Sequence, residues 1–218
     1  MTFPRPIIGF VIFAAANFAS PSPAYAEGQS QFARVVVTGM LSIEIPRHWE
    51  ALDAASRANL ATLSETITGS PPTVASLAVS ARPAPAGAII RVTRLKNEGP
   101  TQRQLSDAAR TNPLGLLKDL ASDLEVEFAQ MEDASRKLGM QILEKPRASL
   151  ASIDGRTALL ITYKRSGAAG GPPFFVRQFH VPLETAKALV TVSHRETDAI
   201  LYKPILEHVL QSIDFDVR

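Results

Sequence analysis

The run ASIDGRTALLITYKR, residues 151–165, constrains the fold most. Asp154-Gly155 is a two-residue turn signal of the kind that closes antiparallel hairpins, because both residue types tolerate positive φ. Strand-like runs flank it at 147–153 and 156–165. A second pair, 174–183 and 188–195, surrounds Glu184-Thr185-Ala186-Lys187. Two hairpins in sequence predict an antiparallel sheet that must bury its apolar face against another layer.

The rest of the chain supplies more strands and the helices to cover them. Residues 32–37 are β-rich, and Thr38-Gly39 can turn them into Leu41, Ile43 and Ile45, which alternate with Ser42 and Glu44. Period two with one apolar face predicts a half-buried strand. Pro46 ends it, since proline cannot donate to the ladder. Residues 73–82 and 87–96 form a further strand pair joined by Pro83-Ala84-Pro85-Ala86. Helical spacing follows Trp49 through Leu52, Leu60, Leu63 and Ile67, and Gly69-Ser70-Pro71-Pro72 closes that segment. Thr101 with Gln104 forms a capping-box pattern. Asn112-Pro113 sets an N-cap and a first-turn proline. Leu117, Leu120, Leu124, Phe128 and Met131 make one stripe, and Gly139 stops that helix. Tyr202, Ile205, Val209 and Ile213 mark a final helix. The expected class is α+β, an antiparallel sheet packed with helices.

The N-terminus points to export. Arg5 precedes the apolar run 7–16, a Ser20-Pro21-Ser22-Pro23 breaker and Ala24-Tyr25-Ala26. A basic tip, a short apolar segment and a small-x-small end make a cleaved secretory signal. The run is shorter than the roughly 18 apolar residues of a membrane span. The expected division is a signal peptide at 1–26, a disordered stretch at 27–31 and one domain at 32–218. Residues 1–26 hold one arginine and no acid. The chain has no cysteine, which excludes disulfides, thiolate chemistry and lipid attachment at a signal-peptide cysteine. The expected location is the periplasm or the outside of a bacterium. Lys and Arg number 23 against 21 Asp and Glu, too balanced for the clustered basic face of a nucleic-acid binder.

Chemistry-bearing patterns are sparse. There is no G-x-S-x-G elbow, S-x-x-K spacing or H-E-x-x-H. Ser193 and His194 are neighbours in a strand and point to opposite faces. Pairing Leu183 with Ala188 sets Phe179 against Val192 and Arg177 against His194, with His180 on the other face. The two histidines then share no metal. Arg177 and His194 instead end an apolar face, where they line a pocket for an anionic ligand or a partner's carboxylate, reach solvent, or pair with an internal acid. Gly167-Ala168-Ala169-Gly170-Gly171 lacks the P-loop lysine and reads as a hairpin loop. It could also be a partner-binding loop, with Phe174-Phe175 as the contact or as core. Asp119 and Asp123 share a helix face and, with Glu125, Glu127, Glu132 and Asp133, read as a solvated acidic surface. Within IEIPRHWE, Trp49 reads as a structural joint that packs the following helix on the sheet. No catalytic residue, metal or cofactor is expected.

The order of Ile45-Pro46-Arg47-His48-Trp49, Ile153-Asp154-Gly155-Arg156, Tyr163-Lys164-Arg165, Val176-Arg177-Gln178-Phe179, Val190-Thr191-Val192-Ser193 and the closing Leu210-Gln211-Ser212-Ile213-Asp214-Phe215 resembles the PsbP/DcrB-like (MOG-like) group. The resemblance implies an α/β/α sandwich. It also implies a binding or accessory module, since that group includes lumenal photosystem accessory proteins, periplasmic proteins and small adaptors. It carries no catalytic motif onto this chain. The expected function is an exported non-catalytic protein that binds an envelope protein or a small ligand. The alternatives are an exported hydrolase with a non-standard site and a structural component of an envelope complex.

Overall fold

In a computed structural model of the chain, residues 31–37, 39–51, 75–96, 99–137, 139–167 and 170–216 are described. The signal peptide at 1–26 and residues 27–30 of the expected disordered stretch lie outside them; of the helical pattern expected from Trp49 onward, Glu50–Ala51 is strand and the rest lies outside the described residues. So do the side chains of Asp123, Glu127 and Met131.

Among the described residues nine strands form: β1 (Phe32–Val37), β2 (Leu41–Pro46), β3 (Glu50–Ala51), β4 (Ala75–Arg82), β5 (Ala88–Lys96), β6 (Ile142–Ile153), β7 (Arg156–Arg165), β8 (Phe174–Pro182) and β9 (Ala186–Arg195). Three α-helices are described: α1 (Gln102–Thr111), α2 (Pro113–Lys137) and α3 (Ala199–Gln211). β1 and β2 pair as a separate hairpin, and the other strands form one antiparallel sheet in the order β3-β4-β5-β9-β8-β7-β6.

The local signals act as their chemistry requires. Asp154 and Gly155 take φ of 49° and 69°, and Ile153 pairs with Arg156 across the turn. Thr101 and Gln104 form a reciprocal capping box on α1, and the Asn112 side chain accepts the Gly115 amide at 3.0 Å at the start of α2. Gly139 at φ 67° ends α2, where the amides of Gly139 and Met140 reach back to the carbonyls of Arg136 and Ser135.

The sheet is covered on both faces, an α/β/α arrangement. On the first face Val79, Ile90, Val92, Phe179, Val181, Val190 and Val192 pack with Leu206, Val209 and Leu210 of α3 and with Leu41, Ile43 and Ile45 of β2. A bridge between Ser42 and Asp214 ties β2 to the chain end. On the second face Leu159, Ile161, Tyr163, Phe174 and Val176 pack with Leu120 and Leu124 of α2. Among the described residues, no helix is long and apolar enough to cross a membrane.

Trp49 is a joint, but the helix that it meets is α3; the helix it was expected to pack on the sheet lies outside the described residues. It is buried, and its ring meets Tyr202 of α3 edge to face at 6.1 Å. The contact fastens the segment between β2 and β3 to the C-terminal helix. Gly87 is shaped by the same place: a Cβ there would lie 2.6 Å from the Tyr202 ring.

A candidate ligand-binding groove

The β8–β9 turn uses only Glu184 and Thr185, with Pro182 opposite Lys187 and the Leu183 amide donating to the Ala186 carbonyl. The sequence reading opened that turn to four residues. The true register is therefore offset by two. Arg177 stands opposite Val192 and His194 opposite Phe175. A two-residue offset preserves the faces, because side chains alternate with period two. Arg177 and His194 share the first face, and His180 lies on the second.

Both residues on the first face have protein partners. Arg177 bridges Glu207 of α3 at 2.7 Å and lies over the Phe179 ring at 5.8 Å. His194 is buried, with Nδ1 3.1 Å from the Arg195 carbonyl and its ring 5.9 Å from Phe175. Burial lowers its pKa, and the positive charges of Lys203 and Arg177 act in the same direction. Ser193 occupies the second face, so the strand geometry separates it from His194.

The second face carries a polar row that the sequence reading did not select. Across adjacent strands stand Ile161, Gln178, Thr191, Arg91 and Ser80. One row away lie Tyr163, Val176, Ser193 and Ile89; one row the other way lie Leu159, His180, Leu189 and Thr93. Gln178 is 1% exposed and His180 3%, so both are cut off from bulk water. Among the described residues, Gln178 Oε1 and both ring nitrogens of His180 have no hydrogen-bond partner. Such orphaned groups cost about 1–3 kcal/mol each.

Positive charge converges at the same place. Burial pulls the Arg91 pKa down to about 9, and the nearby Arg165 and Arg82 guanidinium groups add to the effect. Tyr163 also lies within electrostatic range of Arg91; burial raises its pKa. Arg91 Nε reaches Ser80 Oγ at 3.5 Å. Arg165 donates to the Ser166 carbonyl at 3.0 Å and stacks over Phe174 at 5.0 Å. Burial lowers its pKa too. His180 is held neutral well below the usual imidazole value, first by burial and then by the Lys187 charge. Arg91 and Thr191 keep partial exposure.

A usable signal for the groove did exist. In a strand buried on both faces, apolar residues should fill both. Arg91-x-Thr93, Gln178-x-His180 and Thr191-x-Ser193 break that rule in three neighbouring strands, on the same face.

The other expected features have structural positions. Phe174 is core and Phe175 is half-buried beside His194. Gly167 closes its loop by donating to the Gly171 carbonyl at 2.9 Å. Asp119 and Glu125 are exposed, and Asp133 pairs with Arg136 at 2.9 Å. The carboxylates of Asp154, Asp214 and Asp216 lie within 4.8 Å of one another. Asp216 pairs with Arg156 at 2.8 Å, and Asp154 accepts the Phe215 amide at 2.9 Å, so this cluster fastens the β6–β7 turn to the chain end.

The sequence matches no protein-family profile and no curated protein. In structure the chain is similar to cyanobacterial PsbP (CyanoP) from Synechocystis sp. PCC 6803, with a TM-score of 0.50 at 16% identity over 88% of this chain and 97% of that one. A second similar structure is LpqN of Mycobacterium tuberculosis, described as involved in cell envelope biogenesis, with a TM-score of 0.40 at 16% identity over 84% of this chain and 89% of that one. The fold is PsbP-like, and at these identities the likeness is one of fold.

Proposed function

We propose that the chain is an exported, non-catalytic binding or accessory protein that holds a small ligand in the groove over β8 and β9. In this reading residues 1–26 direct export and are removed, and the protein works in the periplasm or outside a bacterium. The observation that carries the reading is the pair Gln178 and His180. They place a buried acceptor, and an imidazole with one donor and one acceptor, in an otherwise packed sheet face, without protein partners. Buried polar groups that a protein leaves unpaired are most readily explained by a missing partner. The groove's guanidinium, amide, hydroxyl and imidazole groups hold a ligand by charge and hydrogen bonds, the economy of a small-molecule site.

The test is to purify the protein natively from its own envelope fraction, release bound small molecules with denaturing solvent and identify them by mass spectrometry. The expected result is a compound that is depleted when Gln178→Leu protein is purified in the same way. A protein that carries only a polypeptide partner, bound equally by wild type and Gln178→Leu, would move the function to an adaptor role.

A further inference from the structure

We propose that the open edge of β6 is a dimerisation surface. A second copy of this chain adds its own β6 antiparallel to the first, about a two-fold axis at Leu150, and the two sheets become one. The proposal is independent of the groove over β8 and β9.

The first observation is the edge itself. β6 is the last strand of the sheet and is 12 residues long. A strand edge offers a row of amides and carbonyls to another chain, and proteins blunt it with brevity, charge, proline or a bulge. The opposite edge, β3, is 2 residues long. The start of β6 carries Glu144, Lys145 and Pro146, with register breaks between Ile142 and Arg147. Ala148-Ser149-Leu150-Ala151-Ser152 carries none of these devices: it has no charge, no proline and an unbroken register.

The register also identifies the open backbone groups. Ile153 and Arg156 flank a two-residue turn, so they bond to each other. Bonded and non-bonded pairs then alternate along the ladder. Ser149, Ala151 and Ile153 aim their amides and carbonyls at β7, while Ala148, Leu150 and Ser152 aim theirs outward. Thr157, opposite Ser152, likewise turns its amide and carbonyl away from β6, to the Gln102 side chain. An axis at Leu150 sets Leu150 against its own copy and Ala148 against Ser152 of the second copy. Each pair makes two bonds, about six in all. Moving the axis toward the start of β6 brings Pro146, without an N–H, into the ladder. Moving it toward the end runs Ala148 past Ile153 and off the strand.

The second observation is self-complementary charge, and it names the occupant. A two-fold interface uses one patch that must match itself. Arg147 shares the first face with Ala151 and Ile153, whereas Ala148 faces the second core. Lys145 and Arg147 are exposed, and among the described residues neither has an acidic partner. At the other end of β6 the carboxylates of Asp154, Asp214 and Asp216 gather within 4.8 Å of one another. Ile213 and Phe215 hold that chain end on the same first face, and Arg156 pairs with Asp216. Antiparallel pairing about Leu150 puts Arg147 opposite Ile153 of the second copy and Lys145 beside its Asp154-Gly155 turn. The cations of each copy then meet the acidic cluster of the other at both ends of the shared edge. Such complementarity fixes register and speeds encounter.

The experiment is sedimentation velocity of the full chain, purified from its own cells, over a concentration series at low and high salt. Hydrogen exchange is read in parallel at the amides of Ala148, Leu150 and Ser152. The expected result is a monomer–dimer equilibrium that salt weakens, with exchange at those amides slowed in the dimer. Ser152→Pro removes an outward N–H at an exposed position. That variant and the double variant Lys145→Glu/Arg147→Glu are each expected to weaken dimerisation about tenfold or more, at an unchanged melting temperature. Asp216→Lys should also weaken it. Mixing Asp216→Lys with Lys145→Glu/Arg147→Glu protein restores opposite charges at both ends and is expected to give a heterodimer tighter than either homodimer. A merely structural effect of the substitutions would give no such rescue. A chain that stays monomeric throughout, or a dimer that Ser152→Pro and the charge variants leave unaltered, overturns the proposal. So does a chain that fails to self-associate but takes a different polypeptide from the envelope at an edge that Ser152→Pro closes.

Discussion

Arg177 of β8 and Glu207 of α3 form a 2.7 Å ion pair across the first face of the sheet. The Arg177 guanidinium lies over the Phe179 ring, and Glu207 is half open to water. Packing and charge therefore separate in mutants. Arg177→Ala is expected to cost about 1–2 kcal/mol, while the coupling to Glu207 in a double-mutant cycle should stay below about 1 kcal/mol. Urea unfolding of the two single variants and the double variant measures both. A role for Arg177 and His194 in ligand binding remains a proposal. It predicts that Arg177→Ala also weakens binding of the released compound, and unaltered binding with reduced stability leaves Arg177 as a clamp.

His180 trades stability for function in this account. His180→Leu removes two unpaired buried nitrogens and is expected to stabilise the protein by about 1–3 kcal/mol at neutral pH. The same variant should bind the groove ligand less well. A variant that gains stability and loses binding marks a residue kept for its site.

The acid limb of stability follows from the same histidine. Burial holds the folded His180 pKa well below that of an unfolded histidine, about 6.5. Below that pH the unfolded chain binds more protons than the folded one, so stability falls as pH falls. Above it this contribution is fully present. His194, also lowered by burial, adds to the slope. Unfolding free energy measured between pH 7.5 and 5 should decline, with a shallower decline in His180→Leu and a residual slope from His194.

The Trp49–Tyr202 contact predicts two further variants. Trp49→Ala empties a large buried site and is expected to cost about 3–5 kcal/mol. Gly87→Ala pushes a methyl group against a Tyr202 ring that Trp49 already confines, with an expected cost of about 1–3 kcal/mol. Thermal unfolding checks both, and ligand binding per folded molecule should be unchanged. An unchanged melting temperature in Trp49→Ala would reopen Trp49 and His48 as a site.

Most of the fold is legible because its signals are local. Asp154-Gly155 sets a hairpin by φ preference, Thr101 and Gln104 cap a helix by two hydrogen bonds, and Gly139 ends another. The β8–β9 register is less legible. Glu184-Thr185 gives no strong turn signal, so whether two or four residues turn is decided by packing on both faces. Period two protects the face assignments from that ambiguity, which is why Arg177 and His194 were placed on the right face with the wrong partners. The start of β6 is also hidden: Glu144, Lys145 and Pro146 do not look like strand, and the ladder passes them through irregular register. The groove was hardest to read. It joins residues more than 80 positions apart, and its signal is a coincidence of polar positions that exists only once the strand order is known.

The central claim is that Gln178 and His180 await a ligand. Its most direct test is a crystal structure at high resolution of the protein purified natively from its own envelope. The account predicts non-protein density over β8 and β9, within hydrogen-bond distance of Gln178 Oε1. A groove filled by the protein's own side chains, with Gln178 Oε1 and the His180 nitrogens all bonded to protein groups, would contradict it.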